Sequence, residues 1–143
     1  MEGPARLTVL ADTGALYALA ERADAWHARI VAWWTAAARD IAVPVTVVPE
    51  VTYLLGRRLG ASAEEAFVRA LAHGELRVES LVDADWSRAA DLMVAYADLP
   101  LGFVDASIVA MAERLGVTSI LTTDRRHFGV VRPRHAESLT LVP

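Results

Sequence analysis

The chain contains no cysteine, no lysine, no asparagine and no glutamine. Without cysteine there are no disulfides, thiol nucleophiles, iron–sulfur clusters or thiolate zinc sites. Without lysine there is no P-loop, no protein-kinase phosphate clamp and no Schiff-base chemistry. All 14 basic residues are therefore arginine, and catalysis is left to carboxylates, hydroxyls, arginine and four histidines. Long apolar runs are missing too. None approaches the roughly 20 residues of a membrane-spanning helix, and Met1 to Arg6 lack the basic-then-apolar order of a signal peptide, so the expected location is the cytoplasm. With 18 acids against 14 arginines and a net charge of −4, the chain has no overall basic footprint for nucleic acid.

What is present is a strongly apolar chain. Its 143 residues are 55% hydrophobic and 22% charged, which predicts one folded domain spanning residues 1–143 around a single core. Leu7 to Ala11 reads as a buried strand closed by the turn Asp12-Thr13-Gly14, with a helix to follow. From Asp24 to Asp40, Trp26, Ile30, Trp33, Trp34 and Ala37 recur at helical spacing, with Asp24 as N-cap. Ile41 to Val43 is a second strand. A helix after Pro49 runs through Leu59 to a stop at Gly60, and Ser62 to Glu65 resembles a capping box opening the next helix, which ends near Gly74. Leu76 to Leu81 alternates as a half-exposed edge strand. Asp83 to Ala97 is expected to be an amphipathic helix with Trp86, Ala90, Met93 and Ala97 on one side. Leu101 to Leu115 is a further helix closed by Gly116, Val117 to Leu121 a fourth strand, and Leu139 to Val142 a candidate fifth. Strands alternating with helices imply an α/β fold with a mainly parallel sheet of four to five strands covered on both faces.

The main chemical signal is where the acids stand. In Leu7 to Ala20 the only side chain ionising near neutral pH is Asp12; in Ile41 to Leu55 it is Glu50; in Leu101 to Ala112 it is Asp105. Asp124 follows the strand Val117 to Leu121 as Asp12 follows Leu7 to Ala11, and in open parallel sheets ligands bind outside the carboxyl ends of the strands. An ionised carboxylate in a core segment must be paired, protonated or given a metal. Carboxylates brought together hold their protons unless a cation neutralises them. Mg²⁺ or Mn²⁺ suits an all-oxygen set, while the absence of cysteine and of a His pair of HExxH type argues against zinc. Setting these four acids aside, acids and arginines balance at 14 each. Each acid also has a local alternative: Asp12 and Asp124 as turn residues, Glu50 and Asp105 as first-turn residues answering the helix dipole.

Asp12-Thr13 after the first strand, Val48-Pro49-Glu50-Val51, Leu101-Gly102-Phe103-Val104-Asp105-Ala106 and Leu121-Thr122-Thr123-Asp124-Arg125-Arg126-His127-Phe128 resemble, in order and over essentially the whole chain, the PIN-domain ribonucleases, most nearly the VapC toxins of bacterial toxin–antitoxin pairs. Gly14 departs from that pattern, where such proteins often carry a small hydroxyl or alkyl residue. The resemblance implies a three-layer α/β/α sandwich. It also implies a metal-dependent endoribonuclease that hydrolyses RNA with a metal-activated water, leaving 5′-phosphate and 3′-hydroxyl ends.

Under that reading Asp12 and Asp105 hold the principal Mg²⁺ or Mn²⁺, and Glu50 and Asp124 complete the acidic site. Thr13 and Thr122 are supporting candidates that orient Asp12 and Asp124. Phosphate contacts fall to Arg125, Arg126, His127, Arg132, Arg134 and His135, for which a solvated basic loop is the alternative. The tryptophans are expected in the core or at a subunit interface. The resemblance further implies a homodimer, or a hetero-oligomer with a VapB-like antitoxin that blocks the acidic groove and alone touches operator DNA. A haloacid-dehalogenase-type phosphatase and a response-regulator receiver each need a lysine that is absent. The remaining alternative is a catalytically silent PIN-like module that binds antitoxin or RNA without cleavage.

Overall fold

A computed structural model describes residues 7–36 and 40–143. Five strands, β1 (Thr8–Ala11), β2 (Asp40–Pro44), β3 (Arg77–Glu79), β4 (Ser119–Leu121) and β5 (Thr140–Val142), form one sheet in the order β3-β2-β1-β4-β5. Every pairing is parallel. Interleaved with them are α1 (Thr13–Ala20), α2 (His27–Ala36), α3 (Val48–Leu59), α4 (Ala61–Ala72), α5 (Asp83–Ala95), α6 (Phe103–Leu115) and α7 (Arg125–Val130), with a 3₁₀ turn at Val45–Val47.

The central strands explain themselves. Val9, Leu10 and Ala11 of β1 and Ile120 and Leu121 of β4 are fully buried, as uninterrupted apolar runs require when both sheet faces are covered. The chain runs from β1 to β2 to β3 in one direction and from β4 to β5 in the other, and connections between parallel strands of one sheet are right-handed as a rule. The helices between β1 and β3 therefore cover one face, and those from α5 onward cover the other, giving the three-layer α/β/α arrangement. The direction reverses between β1 and β4, which opens a crevice at their carboxyl ends. The register there is tight: Ala11 pairs with Leu121, and the Asp12 amide donates to the Leu121 carbonyl at 2.9 Å.

Helix ends follow local chemistry. Gly116, at φ 68°, closes α6 in the left-handed conformation that a side chain disfavours. Gly60, at φ 99°, both ends α3 and caps α4, so Ser62 is an exposed first-turn residue and not the expected cap. Asp24 is also displaced from its expected role. Its carboxylate accepts from the Trp26 amide at 2.8 Å and shapes a turn before α2, which starts at His27 and not at Asp24. Ala37, assigned to that helix by spacing, lies outside the described residues.

The buried side of α5 is Asp85, Ala89 and Leu92, one position off the expected Trp86, Ala90, Met93 line. The reason is electrostatic pairing with α6. The Asp85 carboxylate, 2% exposed, accepts from Arg114 Nε at 3.0 Å, and Arg88 grips Glu113 through two bonds of 2.7 and 3.0 Å. A buried acid so paired belongs to the helix interface. Trp86 is left 56% exposed, stacked on Phe103 at 5.2 Å, while Trp26, Trp33 and Trp34 pack partly buried against the core. Among the described residues no helix is long and apolar enough to cross a membrane.

Candidate active site

Four elements deliver the four acids to the crevice. Asp12 stands at the end of β1 as N-cap of α1, 7% exposed; one carboxylate oxygen accepts from the Thr13 amide at 2.7 Å and the other from the Thr122 hydroxyl at 3.0 Å. Asp105 sits in the first turn of α6, its side chain 23% exposed. Asp124 caps α7, its Oδ1 accepting from the amides of Arg126 at 3.0 Å and His127 at 3.1 Å. Glu50, in the first turn of α3, accepts from the Thr13 hydroxyl at 2.9 Å. Glu50 is exposed at the rim, which corrects the expectation that its apolar neighbours would bury it: Pro49 and the start of α3 turn that face outward.

Thr122 supports both of the acids expected of the pair, whereas the Thr13 hydroxyl turns to Glu50 instead. The Thr122 hydroxyl donates to Asp12, while accepting from the Asp124 amide at 2.8 Å. The Thr13 hydroxyl holds Glu50. Gly14 also acquires a reason, because a Cβ there would collide with the Thr123 hydroxyl.

The electrostatics follow from this crowding. Burial, then the charges of Asp12, Asp124 and Glu50, push Asp105 up to about 7, with His127 opposing. Burial likewise lifts Asp12 to about 6, against the hydrogen bonds from Thr13 and Thr122 and with the charges of Asp124 and Glu50. Asp124 is held below the usual carboxylate range: burial works against its charge, but the side-chain and backbone hydrogen bonds of His127 outweigh it. His127 is raised, chiefly by its bond to Asp124. Among the described residues, the ion pairs reaching these acids come from His127 alone, whose Nδ1 lies 2.6 Å from Asp124 Oδ2 and 3.8 Å from Asp105 Oδ2. One donor atom each from Asp105, Asp124 and His127 lie within 4.8 Å of one another. Clustered carboxylates, two with raised proton affinity and no arginine to neutralise them, are a donor set that suits a hard divalent ion.

The helix α7 is what sequence reasoning missed. Arg125 to Val130 contains no strong apolar period, and its start is visible only as Asp124 acting as a cap. That helix puts His127 over the acids instead of on a basic loop. Arg125 turns away: its guanidinium donates to the carbonyls of Leu141 at 3.0 Å and Pro143 at 2.5 Å, tying α7 to β5. Arg126, Arg132 and Arg134 are exposed; the Arg132 amide donates to the Tyr96 hydroxyl at 2.8 Å and the Arg134 amide to Glu113 at 2.7 Å. His135 bonds the Val117 carbonyl at 2.6 Å.

A parallel sheet with acids gathered at its strand-order reversal defines a class of protein, and comparison with known proteins agrees with the geometry. The family model described as "PIN domain" matches residues 9–132. Ribonuclease VapC26 of Mycobacterium tuberculosis is 35% identical over 135 residues, covering 94% of this chain and all of that protein. The chain belongs to the PIN-domain family, on its VapC branch. Among solved structures, the Mycobacterium tuberculosis toxin VapC20, described as cleaving the sarcin–ricin loop, superposes with a TM-score of 0.80 at 23% identity, over 90% of this chain and 98% of that one. A toxin–antitoxin complex from Klebsiella pneumoniae gives 0.67 at 19% identity, over 86% and 92%. At these identities the two structures establish the shared fold.

Proposed function

We propose that this protein is a metal-dependent endoribonuclease and the toxin of a type II toxin–antitoxin pair. The observation that carries the reading is the meeting of Asp12, Glu50, Asp105 and Asp124 at the β1/β4 crevice, in a chain 35% identical to a VapC ribonuclease. Asp12 and Asp105 hold the principal Mg²⁺ or Mn²⁺, with Glu50 and Asp124 completing the site. The ion supplies two things when bound: it acidifies water and offsets charge developing on the phosphoryl group.

The remaining work belongs to the chain. Thr122 fixes the Asp12 carboxylate and the turn that carries Asp124. Thr13 keeps Glu50 turned inward from an exposed position. RNA phosphates, repelled by the bare acids, are received by Arg126, Arg132 and Arg134 on the exposed side of the α7 segment.

The protein acts in the cytoplasm, as a homodimer or in a hetero-oligomer with a VapB-like antitoxin. The exposed line of Trp86, Met93 and Val94 on α5 supports a subunit interface. An apolar cleft of about 290 Å³ between α1, α3 and α4, lined by Leu16, Leu55, Leu59 and Phe67, supports burial of an antitoxin segment. Cleavage of total cellular RNA tests the activity. Cutting with Mg²⁺ or Mn²⁺ that is lost with EDTA and in Asp12→Ala and Asp105→Ala is the expected result. Equal cutting in all samples refutes it, and RNA or antitoxin binding with no cutting favours the silent module.

A further inference from the structure

His127 is not among the acids, yet its ring nitrogen lies within 4 Å of two of them. Its position is built by the backbone. Asp124 caps α7 with Oδ1, which fixes the first turn, and the same turn swings the His127 ring back so that Nδ1 meets Asp124 Oδ2 at 2.6 Å. The same nitrogen is 3.8 Å from Asp105 Oδ2. Donor atoms around a six-coordinate ion with bonds of about 2.1 Å stand about 3 Å apart when adjacent and about 4.2 Å when opposite. The 3.8 Å spacing to Asp105 lies between these values, and the 2.6 Å hydrogen bond to Asp124 has to open by about 0.4 Å when an ion replaces the shared proton. A nitrogen there changes the chemistry of the site, because Mg²⁺ keeps to oxygen whereas first-row transition ions accept imidazole.

We infer that His127 Nδ1, grouped with Asp105 and Asp124, is a direct ligand of the same ion that Asp12 and Asp105 hold, so that this is a mixed oxygen–nitrogen site favouring Mn²⁺ over Mg²⁺. The inference rests on the metal-dependent reading above and deepens it. The ion takes the place of the proton now shared between Nδ1 and Asp124 Oδ2, and that proton leaves to solvent. The alternative role is positioning, in which His127 only holds Asp124 and the ion never touches nitrogen.

Mn²⁺ binding to the full-length protein, followed by electron paramagnetic resonance with detection of ¹⁴N coupling, separates the two. Wild type is expected to bind Mn²⁺ with a ¹⁴N modulation. His127→Ala is expected to lose the modulation and about tenfold or more in Mn²⁺ affinity, with Mg²⁺ affinity, measured by competition, changed less than about threefold. His127→Gln, which keeps an N–H donor for Asp124, is the second variant. Mn²⁺ bound to wild type without ¹⁴N coupling, equal losses for both ions in the alanine variant, or recovery of full Mn²⁺ affinity in the glutamine variant would each overturn the inference while leaving the metal-dependent reading intact. Failure of wild type to bind either ion would overturn both.

Discussion

Replacing Asp105 by Asn is expected to stabilise the metal-free protein at pH 8 while ending cleavage of RNA. Asp105 has its proton affinity raised from the ordinary 3.8 to about 7, first by burial and then by the neighbouring acids. A raised carboxyl binds its proton more tightly in the folded than in the unfolded chain, so stability falls as pH climbs from about 4 to 7 and the full penalty is present above that. A rise from 3.8 to about 7 corresponds to about 4 kcal/mol. Part of that charge repulsion is shared with Asp12, so neutralising one acid relieves the other, and a gain of about 2–4 kcal/mol is expected at pH 8. Among the described residues no hydrogen bond ends on Asp105, so Asn orphans no donor. The assay is equilibrium urea unfolding in EDTA. At pH 3, below the unfolded value of 3.8, wild type and variant are expected to coincide; at pH 8 the variant midpoint rises; saturating Mn²⁺ at pH 8 stabilises wild type and not the variant. A variant no more stable than wild type at pH 8 would refute the claim that the neighbouring acids burden Asp105.

The remaining expectations concern the supports of the site. Thr122→Val removes the donor to Asp12 and the acceptor of the Asp124 amide, and is expected to lower RNA cleavage by about 10–100-fold and stability by about 1–3 kcal/mol, measured by single-turnover kinetics and urea unfolding. Gly14→Ala is expected to cost about 1–3 kcal/mol through collision with the Thr123 hydroxyl, and Thr123→Ala in the same chain to restore most of it; additive losses in a double-mutant cycle would rule the collision out. Arg126→Ala is expected to weaken RNA binding and reduce the salt-dependence slope by about one, whereas Arg125→Ala leaves that slope unchanged and loosens the β5 end, seen as faster amide exchange at Leu141 and Val142.

The central strands and most helices were legible because apolar runs and glycine stops report directly on burial and chain reversal. Leu7 to Ala11 and Val117 to Leu121 are uninterrupted apolar runs, and Gly60 and Gly116 end helices where a left-handed residue is needed. The face of α5 was not legible, since hydrophobicity points to Trp86 and Met93. Two ion pairs with α6, invisible without the partner helix, bury Asp85 instead. At the site, isolation among apolar residues anticipated the low exposure of Asp12 and Asp105 but not the exposure of Glu50, because a first-turn position can face outward despite apolar neighbours. His127 escaped because its role depends on α7, a six-residue helix whose only sequence mark is its cap. The bond of Thr122 to Asp12 follows from the register of β1 against β4, and that of Thr13 to Glu50 from the packing of α1 on α3, neither of which a single segment carries.

The central claim is that acids from four separate elements surround one divalent ion. Anomalous diffraction from crystals soaked in Mn²⁺ tests it most directly. The account predicts a peak at the carboxyl end of the β1/β4 pair, within about 2.3 Å of oxygens from both Asp12 and Asp105. A crystal with no peak there, or with Mn²⁺ bound only at another face, would contradict it.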